Sequence, residues 1–274
     1  MKIVFSTSTV KTLKTEMFVT GLYKNQKIKS ITFYKLDKLD GPKTTYYENG
    51  KKQSETIYSD GVQIIDTIDF SSLQKSPKWI VGFSDVTVLH SHLNNLGFAT
   101  LHATMPINFA TNTDKALESL KNVLFGNEKN IECNAHPFNK YGKVEAEIVG
   151  GNLSILYSLL GSESDINTDG KILLIEDLDE YLYHIDRMMM NLKRSGKLDN
   201  LKGMIVGGMS DMNDNDIPFG KTADEIILQH TKDYDFPICF GFPTGHLNDN
   251  RTIVFGVKSL LEISAKKVRL TYPY

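Results

Sequence analysis

The sequence predicts an α/β protein of two domains, preceded by short β-hairpins. In the second half, apolar strand-like segments alternate with segments of helical periodicity, which is typical of α/β domains. An apolar run at residues 79–81 breaks at a glycine and restarts as a helical pattern just after Ser84. The sequence pattern before residue 62 is different: aromatic and β-branched residues flank an Asn-Gly pair, which favours a β-hairpin.

Composition indicates an ordinary globular protein. The 274 residues are 41% hydrophobic and 23% charged, and the net charge of −2 gives no reason to expect a nucleic-acid partner. Residues 1–60 hold 11 lysines against six acidic residues, which leaves the remainder acidic. These lysines alternate with other residues, so we interpret them as a solvated face.

The two cysteines and the N-terminal residues bear on the compartment. Cys133 and Cys239 lack the spacing of a disulfide framework or a zinc site. The first ten residues lack the apolar core of a signal peptide, and no window approaches 18 consecutive apolar residues. We therefore expect a soluble cytoplasmic protein without a membrane partner.

Residues 1–61 are predicted to be a β-hairpin repeat segment. Tyr, Asn, Lys, Ser, Thr and Tyr recur with a period of about 24 when residues 23–34 are laid over residues 47–58. Asn49-Gly50 favours a type I′ turn. The repeat resembles the MORN-variant repeats, and we expect it to be stabilised by packing against the domain that follows.

Residues 62–125 are predicted to form the remainder of an N-terminal domain that carries a nucleophile. A short helix or turn at 64–70 precedes the strand at 79–81, and the next helix ends at Gly97. A strand at 100–103 and an amphipathic helix at 114–125 follow. Residues 126–143, rich in Asn, Gly, Pro and Lys, are interpreted as a linker.

Residues 144–274 are predicted to form a C-terminal α/β domain with a mixed sheet. Strand patterns lie at 146–149, 171–175, 203–206 and 237–240, and helical patterns lie at 152–160, 181–194 and 221–231. Residues 260–264 and 268–272 are typical of a closing hairpin. We interpret the methionine run at 188–190 as core and capping surface.

Ser84 is the candidate nucleophile. At a strand-to-helix turn its Oγ stands clear of the sheet, and the first helical N–H groups, including that of Asp85, point at whatever binds beside it. The alternative is that Ser84 is a helix N-cap.

Glu176 and His246 are the candidate partners of Ser84. Glu176 ends an apolar strand, where functional groups of α/β folds converge, and His246 lies in a Gly/Pro loop just past another strand. Together they give the order Ser, Glu, His of a nucleophile, an orienting carboxylate and a base. The alternatives are a capping role for Glu176 and a loop hydrogen bond for His246. Neither a metal nor another cofactor is expected, because the histidines are not spaced as ligands.

Several ordered motifs between residues 64 and 256 resemble those of the LD-carboxypeptidases, the serine-peptidase family of muramoyltetrapeptide carboxypeptidase and the microcin-immunity peptidases. They read Pro77-Lys-Trp-Ile-Val-Gly-Phe-Ser-Asp-Val-Thr, Leu101-His-Ala-Thr-Met-Pro, Val149-Gly-Gly-Asn-Leu-Ser, Lys171-Ile-Leu-Leu-Ile-Glu-Asp, His184-Ile-Asp-Arg-Met and Gly241-Phe-Pro-Thr-Gly-His, with Asn250. The resemblance implies a homodimer with a Rossmann-like N-terminal half, here truncated or altered. It also implies Ser84, Glu176 and His246 as a triad that releases terminal D-alanine from cytoplasmic muropeptides.

The chain departs from the family before the nucleophile. Family members carry an Arg-Gly-Gly-Tyr-Gly turn beside the serine, and residues 57–61 take that register here, with only Gly61 retained. We expect the N–H groups of Asp85 and Gly61 as oxyanion donors, and Asn250, Arg187 and Arg251 as substrate-binding residues. The alternatives are a weakened or inactive homologue that binds a muropeptide or a partner, and a microcin-immunity-like peptidase. Should His246 not be the base, His102 is the next candidate.

Overall fold

A computed structural model describes residues 4–5, 15–22, 28–35, 38–46, 52–59, 62–127 and 130–273. The chain divides into two compact units, residues 1–76 and residues 77–274. Within the described residues, no helix is both long enough and apolar enough to span a membrane.

The first unit is built on a six-stranded antiparallel sheet whose strands follow the order of the chain. Its strands are β1 Val4–Phe5, β2 Thr15–Leu22, β3 Ile28–Lys35, β4 Lys38–Tyr46, β5 Lys52–Ser59 and β6 Val62–Gln63. A 3₁₀ turn over Ile64–Thr67 and the short helix α1, Ser72–Lys75, follow. The short antiparallel strands predicted here are present. Asn49 and Gly50 lie outside the described residues, and the resemblance to MORN-variant repeats stays a prediction.

The second unit contains ten strands and five α-helices in the described residues. The strands are β7 Val81–Gly82, β8 Thr100–His102, β9 Asn130–Asn134, β10 Gly142–Asn152, β11 Ile172–Leu178, β12 Gly203–Ser210, β13 Ile238–Cys239, β14 Ile253–Phe255, β15 Lys258–Ile263 and β16 Lys267–Thr271. The helices are α2 Thr87–Asn95, α3 Asp114–Leu124, α4 Leu153–Leu159, α5 Leu182–Arg194 and α6 Ala223–Thr231.

A seven-stranded mixed sheet forms the centre of this unit, in the order β13-β12-β11-β10-β15-β16-β9. Strands β10 to β13 run parallel, whereas β15, β16 and β9 add antiparallel pairs. Strand β11 is buried along all but its last residue, as expected for a parallel strand covered on both faces. The predicted α/β fold with a mixed sheet is confirmed.

A separate three-stranded sheet, in the order β14-β8-β7, carries the segment before α2. Strands β7 and β8 are parallel, and β14 comes from late in the sequence to pair antiparallel with β8, with Ile253 opposite His102. The predicted strand at 79–81 begins two residues later and ends one residue later in the structure, since β7 is Val81–Gly82 and Trp79 is exposed.

The stretch interpreted as a linker contains an edge strand. Residues 130–134 form β9, which pairs with β16 so that Cys133 lies opposite Val268. Only Ile131 of this strand is fully buried, so the polar composition of an edge strand looks like that of a loop in the sequence. The domain boundaries drawn from the sequence otherwise stay predictions.

Two glycines at the end of β10 let α2 approach the large sheet. Gly150 and Gly151 have φ values of 135° and 138°, where other residues are strained. A Cβ atom on Gly151 would lie 2.4 Å from Oγ1 of Thr87, the first residue of α2. Thr87 Oγ1 in turn accepts a hydrogen bond of 2.9 Å from the Asn152 N–H. The Gly-Gly-Asn bend therefore fixes where α2 begins.

We predict that Gly151→Ala lowers the free energy of unfolding by roughly 3 kcal/mol or more, because backbone strain adds to the overlap with Thr87. Gly161→Ala is the matched control, since Gly161 also has a positive φ, of 79°, but has no atom within 4 Å of an added Cβ. It should cost only about 1 to 2 kcal/mol. Urea unfolding of both variants measures the difference, and equal losses would contradict the role given to the bend.

Candidate active site

Ser84 stands on a strained turn between β7 and α2. It opens a single 3₁₀ turn, Ser84–Val86, and its φ of 61° lies in the left-handed region that serine rarely adopts. The residues at the N-cap positions of the 3₁₀ turn and of α2 are Phe83 and Val86, so the N-cap interpretation of Ser84 is wrong. Strain held at a polar residue between a strand and a helix is typical of a nucleophile.

A buried histidine forms a hydrogen bond to the backbone two residues before Ser84. His90 of α2 is fully buried, and its Nε2 lies 2.9 Å from the carbonyl oxygen of Gly82. Burial and the charge of His102 lower the pKa of His90 to about 3, so the ring is neutral and donates its Nε2–H to this carbonyl. Asp85 follows Ser84 in the first turn, where backbone N–H groups lack an intrahelical acceptor. Gly61, the second expected donor, lies outside the described residues.

Glu176 brings a carboxylate to the carboxyl end of β11. It lies opposite Asn152 in the register of β10 and β11, and its side chain has no solvent exposure. A buried carboxylate must be compensated by donors. One such donor pair comes from a single residue, His246, whose backbone N lies 3.1 Å from Oε2 and whose Nδ1 lies 2.6 Å from the same oxygen.

His246 is held in one ring orientation. Since a carboxylate oxygen only accepts, Nδ1 carries the hydrogen that Glu176 binds, and Nε2 of the neutral ring is left with a free lone pair. The hydroxyl of Ser210 donates to the His246 carbonyl at 2.7 Å, and the Phe83 ring packs edge-on with its centroid 4.8 Å from that of the imidazole. Ser84 thus lies between two residues, Phe83 and Asp85, that both interact with His246.

The loop of His246 fits against the sheet because three glycines leave room for it. A Cβ on Gly245, whose φ is 95°, would lie 2.5 Å from Oε2 of Glu176. Cβ atoms on Gly207 and Gly208 of β12 would lie 2.6 Å from the Thr244 carbonyl oxygen and 2.7 Å from the Leu247 side chain. Larger residues at these positions would push the imidazole away from the carboxylate.

The electrostatics of the pair favour a charged Glu176 and a basic His246. Burial acts to raise the pKa of Glu176, but the hydrogen bond from His246 and the neighbouring imidazoles of His102 and His246 outweigh it and hold that pKa well below its usual range. Burial acts to lower the pKa of His246, yet the hydrogen bond and charge of Glu176, with the charges of Asp177 and Asp85, raise it above the ordinary value. A neutral His246 therefore takes up a proton more readily than a free imidazole does.

Sequence reasoning missed a second carboxylate beside this pair. Asp177 accepts hydrogen bonds from the Asn152 amide at 2.8 Å and from the Ser154 N–H at 2.9 Å. Burial and the charges of Glu180 and Glu176 raise the pKa of Asp177 to about 7. Only the adjacency of Glu176 and Asp177 in the sequence hinted at it.

The structure brings Asn250 into the hydrogen-bonding network of the His246 loop, and the backbone N–H of Arg251 donates to the Pro243 carbonyl of the same loop at 2.9 Å. Asn250 is 1% exposed, and its Oδ1 accepts from the Gly245 N–H at 2.8 Å, which stabilises the His246 loop from within. Arg251 makes a two-point ion pair with Asp249 and donates to the Glu132 carbonyl. Arg187 is exposed on α5, with its guanidinium 4.8 Å from the centre of the Tyr183 ring.

A cavity of about 540 Å³ adjoins the His246 loop. The end of β12 lines it through Gly207, Gly208, Met209 and Ser210, and Leu247 and Asp224 lie on its other sides. In the part of the chain that the structure describes, no cluster of three or more His, Cys, Asp or Glu side chains could hold a metal ion. The His246–Glu176 pair supplies an oriented imidazole and a buried carboxylate, and Ser84 supplies a hydroxyl on the turn before α2; these are the groups that acyl transfer uses.

Comparison with known proteins gives the family. The C-terminal domain of the LD-carboxypeptidases matches residues 145–261, and their N-terminal domain matches residues 59–103. A Bacillus subtilis protein described as a probable murein peptide carboxypeptidase is 35% identical over 73% of this chain and 64% of its own length. A Streptomyces coelicolor protein described as a carboxypeptidase is 31% identical over 78% of this chain and 69% of its own length.

Solved structures agree with the sequence comparison. A muramoyltetrapeptide carboxypeptidase from Oxalobacter formigenes superimposes with a TM-score of 0.71 at 27% identity, over 79% of this chain and 76% of that one. The microcin C7 self-immunity protein MccF shares the fold, with a TM-score of 0.66 at 22% identity over 80% and 75% of the two chains. This chain spans less than two thirds of the length of the first curated relatives that it matches. Both domain matches and the Streptomyces relative nonetheless show that the chain belongs to the LD-carboxypeptidase family.

Proposed function

We propose that the chain is a cytoplasmic serine LD-carboxypeptidase that releases the terminal D-alanine of muropeptide tetrapeptides in peptidoglycan recycling. The observation that carries the proposal is the buried Glu176 carboxylate that orients His246, with Ser84 on a strained turn between two residues that interact with the imidazole. The substrate class is supported by the similarity to the probable murein peptide carboxypeptidase of Bacillus subtilis and the muramoyltetrapeptide carboxypeptidase of Oxalobacter formigenes. As the resemblance implies, we propose that it acts as a homodimer.

The reaction follows from the ring orientation. Nε2 of neutral His246 takes the proton of the Ser84 hydroxyl as Oγ attacks the amide carbonyl, and Glu176 stabilises the imidazolium that forms. The Asp85 N–H stabilises the oxyanion. The imidazolium then gives its proton to the nitrogen of the leaving D-alanine, and the C–N bond breaks to leave an acyl ester on Ser84. Water hydrolyses this ester with His246 again as the base.

The proposed substrate-binding residues have unequal roles. Arg251 is engaged with Asp249, and Asn250 is buried within the loop of the base, where it orients His246. Arg187 is exposed, so we propose it for the terminal carboxylate of the substrate. The cavity beside Leu247 offers room for the part of the peptide before the scissile bond.

We predict that Ser84→Ala lowers the release of D-alanine from an L,D-configured tetrapeptide by a factor on the order of 10⁴ to 10⁶. His246→Ala should cost a similar factor, and Glu176→Gln should cost less, because an amide oxygen still accepts the Nδ1–H bond. His230→Gln is the control. His230 is a buried histidine of α6 whose Nε2 pairs with Asp186 of α5. Chromatography of released D-alanine measures all four variants.

Two outcomes of this series would contradict the proposal. Wild-type turnover by Ser84→Ala would show that Ser84 is not the nucleophile. Binding of the tetrapeptide without turnover by the wild-type chain would favour the binding-protein alternative. A pentapeptide that ends in D-Ala-D-Ala is the specificity control, and its terminal bond should stay intact.

We predict that kcat/KM falls on the acid side with an apparent pKa above the ordinary histidine value of about 6.5. The sign follows from Glu176, whose charge raises the pKa of His246, so that the base is lost to protonation as the pH falls through the raised value. In Glu176→Gln the charge is gone, so the acid limb, meaning the fall of kcat/KM at low pH, should move to lower pH. A limb that stays in place in Glu176→Gln would assign the titration to another group.

We also predict that Ser84→Gly unfolds at a higher urea concentration than Ser84→Ala, although both are inactive. Alanine keeps the strain of a positive φ, whereas glycine relieves about 1 kcal/mol of it. Equilibrium urea unfolding compares the two variants. An Ser84→Ala variant at least as stable as Ser84→Gly would show that the turn relaxes when the hydroxyl is removed.

A further inference from the structure

Glu176 faces a second histidine on the side opposite His246. His102 is the last residue of β8 and is fully buried, and its Nε2 lies 3.6 Å from Oε1 of Glu176. The other carboxylate oxygen, Oε2, is the one that binds His246. The carboxylate is therefore flanked by two imidazoles, one on each oxygen.

The two facing atoms have no other partner in the described part of the chain. His102 Nε2 and Glu176 Oε1 are both buried without a hydrogen bond, and their separation exceeds a normal hydrogen bond by a few tenths of an ångström. Buried polar atoms without partners are rare. A movement of a few tenths of an ångström by either side chain brings the two atoms within hydrogen-bond distance of each other.

The tautomer of His102 follows from the groups that face its two ring nitrogens. Nδ1 lies 3.2 Å from the hydroxyl of Thr244, whose single hydrogen can go to Nδ1 or, over the longer distance of 3.5 Å, to Oδ1 of Asn250, and the shorter contact favours Nδ1 as the acceptor. With Nδ1 accepting, the ring hydrogen sits on Nε2 and points at the carboxylate. The opposite tautomer would turn a lone pair toward an anion, which is unfavourable.

We propose that His102 is a positioning residue for the proposed hydrolysis, in which it donates Nε2–H to Glu176 Oε1 and so holds the carboxylate that orients His246. Its ring faces Glu176 through Nε2 and, through Nδ1, faces Thr244 in the loop that carries His246. The need for it is greatest while His246 is neutral, because the buried anion then receives no positive charge from His246. The inference rests on the proposed function.

The titratable groups around this cluster are few. His90, with its ring centroid 6.1 Å away, and Glu176 face His102, whereas Glu176, Asp177 and Asp85 act on His246. The remaining ring contacts of His102, with Phe83 and Phe255, are neutral. Loss of the His102 hydrogen leaves Glu176 with His246 alone, so the carboxylate should hold the His246 proton more tightly.

The test compares His102→Leu, which removes the donor, with His102→Gln, whose amide NH₂ can replace it. We expect His102→Leu to lower kcat by about 10- to 100-fold with KM within twofold, and to move the acid limb of kcat/KM to higher pH by about one unit. His102→Gln should keep kcat within about fivefold and leave the limb near the wild-type position. His230→Leu, which removes a buried histidine from Asp186, is the control and should leave the limb in place.

A second measurement does not need turnover. In a Ser84→Ala background, ¹⁵N-histidine NMR follows the protonation of His246, and we expect its pKa to rise with His102→Leu and to return with His102→Gln. Should His102→Leu not fold, His102→Asn takes its place, because its amide is too short to reach Oε1.

The outcomes separate the two ideas. An unchanged His246 pKa and an unchanged acid limb in His102→Leu, with hydrolysis that still requires Ser84, would overturn the role of His102 and leave the proposed function intact. Absence of Ser84-dependent hydrolysis in the wild-type chain would overturn the proposed function, and the NMR titration alone would then decide whether His102 donates to Glu176.

Discussion

The burial of one negative charge governs the architecture of the candidate site. Glu176 has no contact with solvent, and a carboxylate in that position is tolerated only where donors surround it. The two histidines that face it come from elements far apart in the sequence: His246 from the loop after β13, and His102 from the end of β8. The charge thus ties the large mixed sheet, the small sheet and the loop between β13 and β14 into one cluster.

Close backbone approach is the second constraint, and small residues provide it at the points where these elements meet. Gly245 passes against the carboxylate itself, and Gly207 gives the loop its place along β12. On the other side, Gly151 admits the first turn of α2. The side chains of the candidate site are therefore positioned in part by glycines, which leave room for the backbone to approach.

The candidate residues of the site could be chosen from the sequence where the signal was local. Ser84 follows an apolar strand and precedes a helical pattern, Glu176 ends an apolar run, and His246 lies in a Gly/Pro loop, so each could be found from its neighbours. The contact of His102 with Glu176 could not, because a histidine that ends a short strand gives no sign of what it faces across the fold. The same holds for β14, whose three residues join a sheet begun near residue 81. Strand β9 was missed because an exposed edge strand has the polar composition of a linker.

The pairing of β14 with β8 has a consequence for synthesis on the ribosome. Ser84 and strand β7 emerge well before residues 253–255, which supply the second neighbour of β8, and His246 and Asn250 emerge only shortly before those residues. Contacts between such distant segments form slowly and late. A nascent chain therefore carries Ser84 before its candidate partner His246 has been made, so that the candidate site is assembled only together with the finished fold.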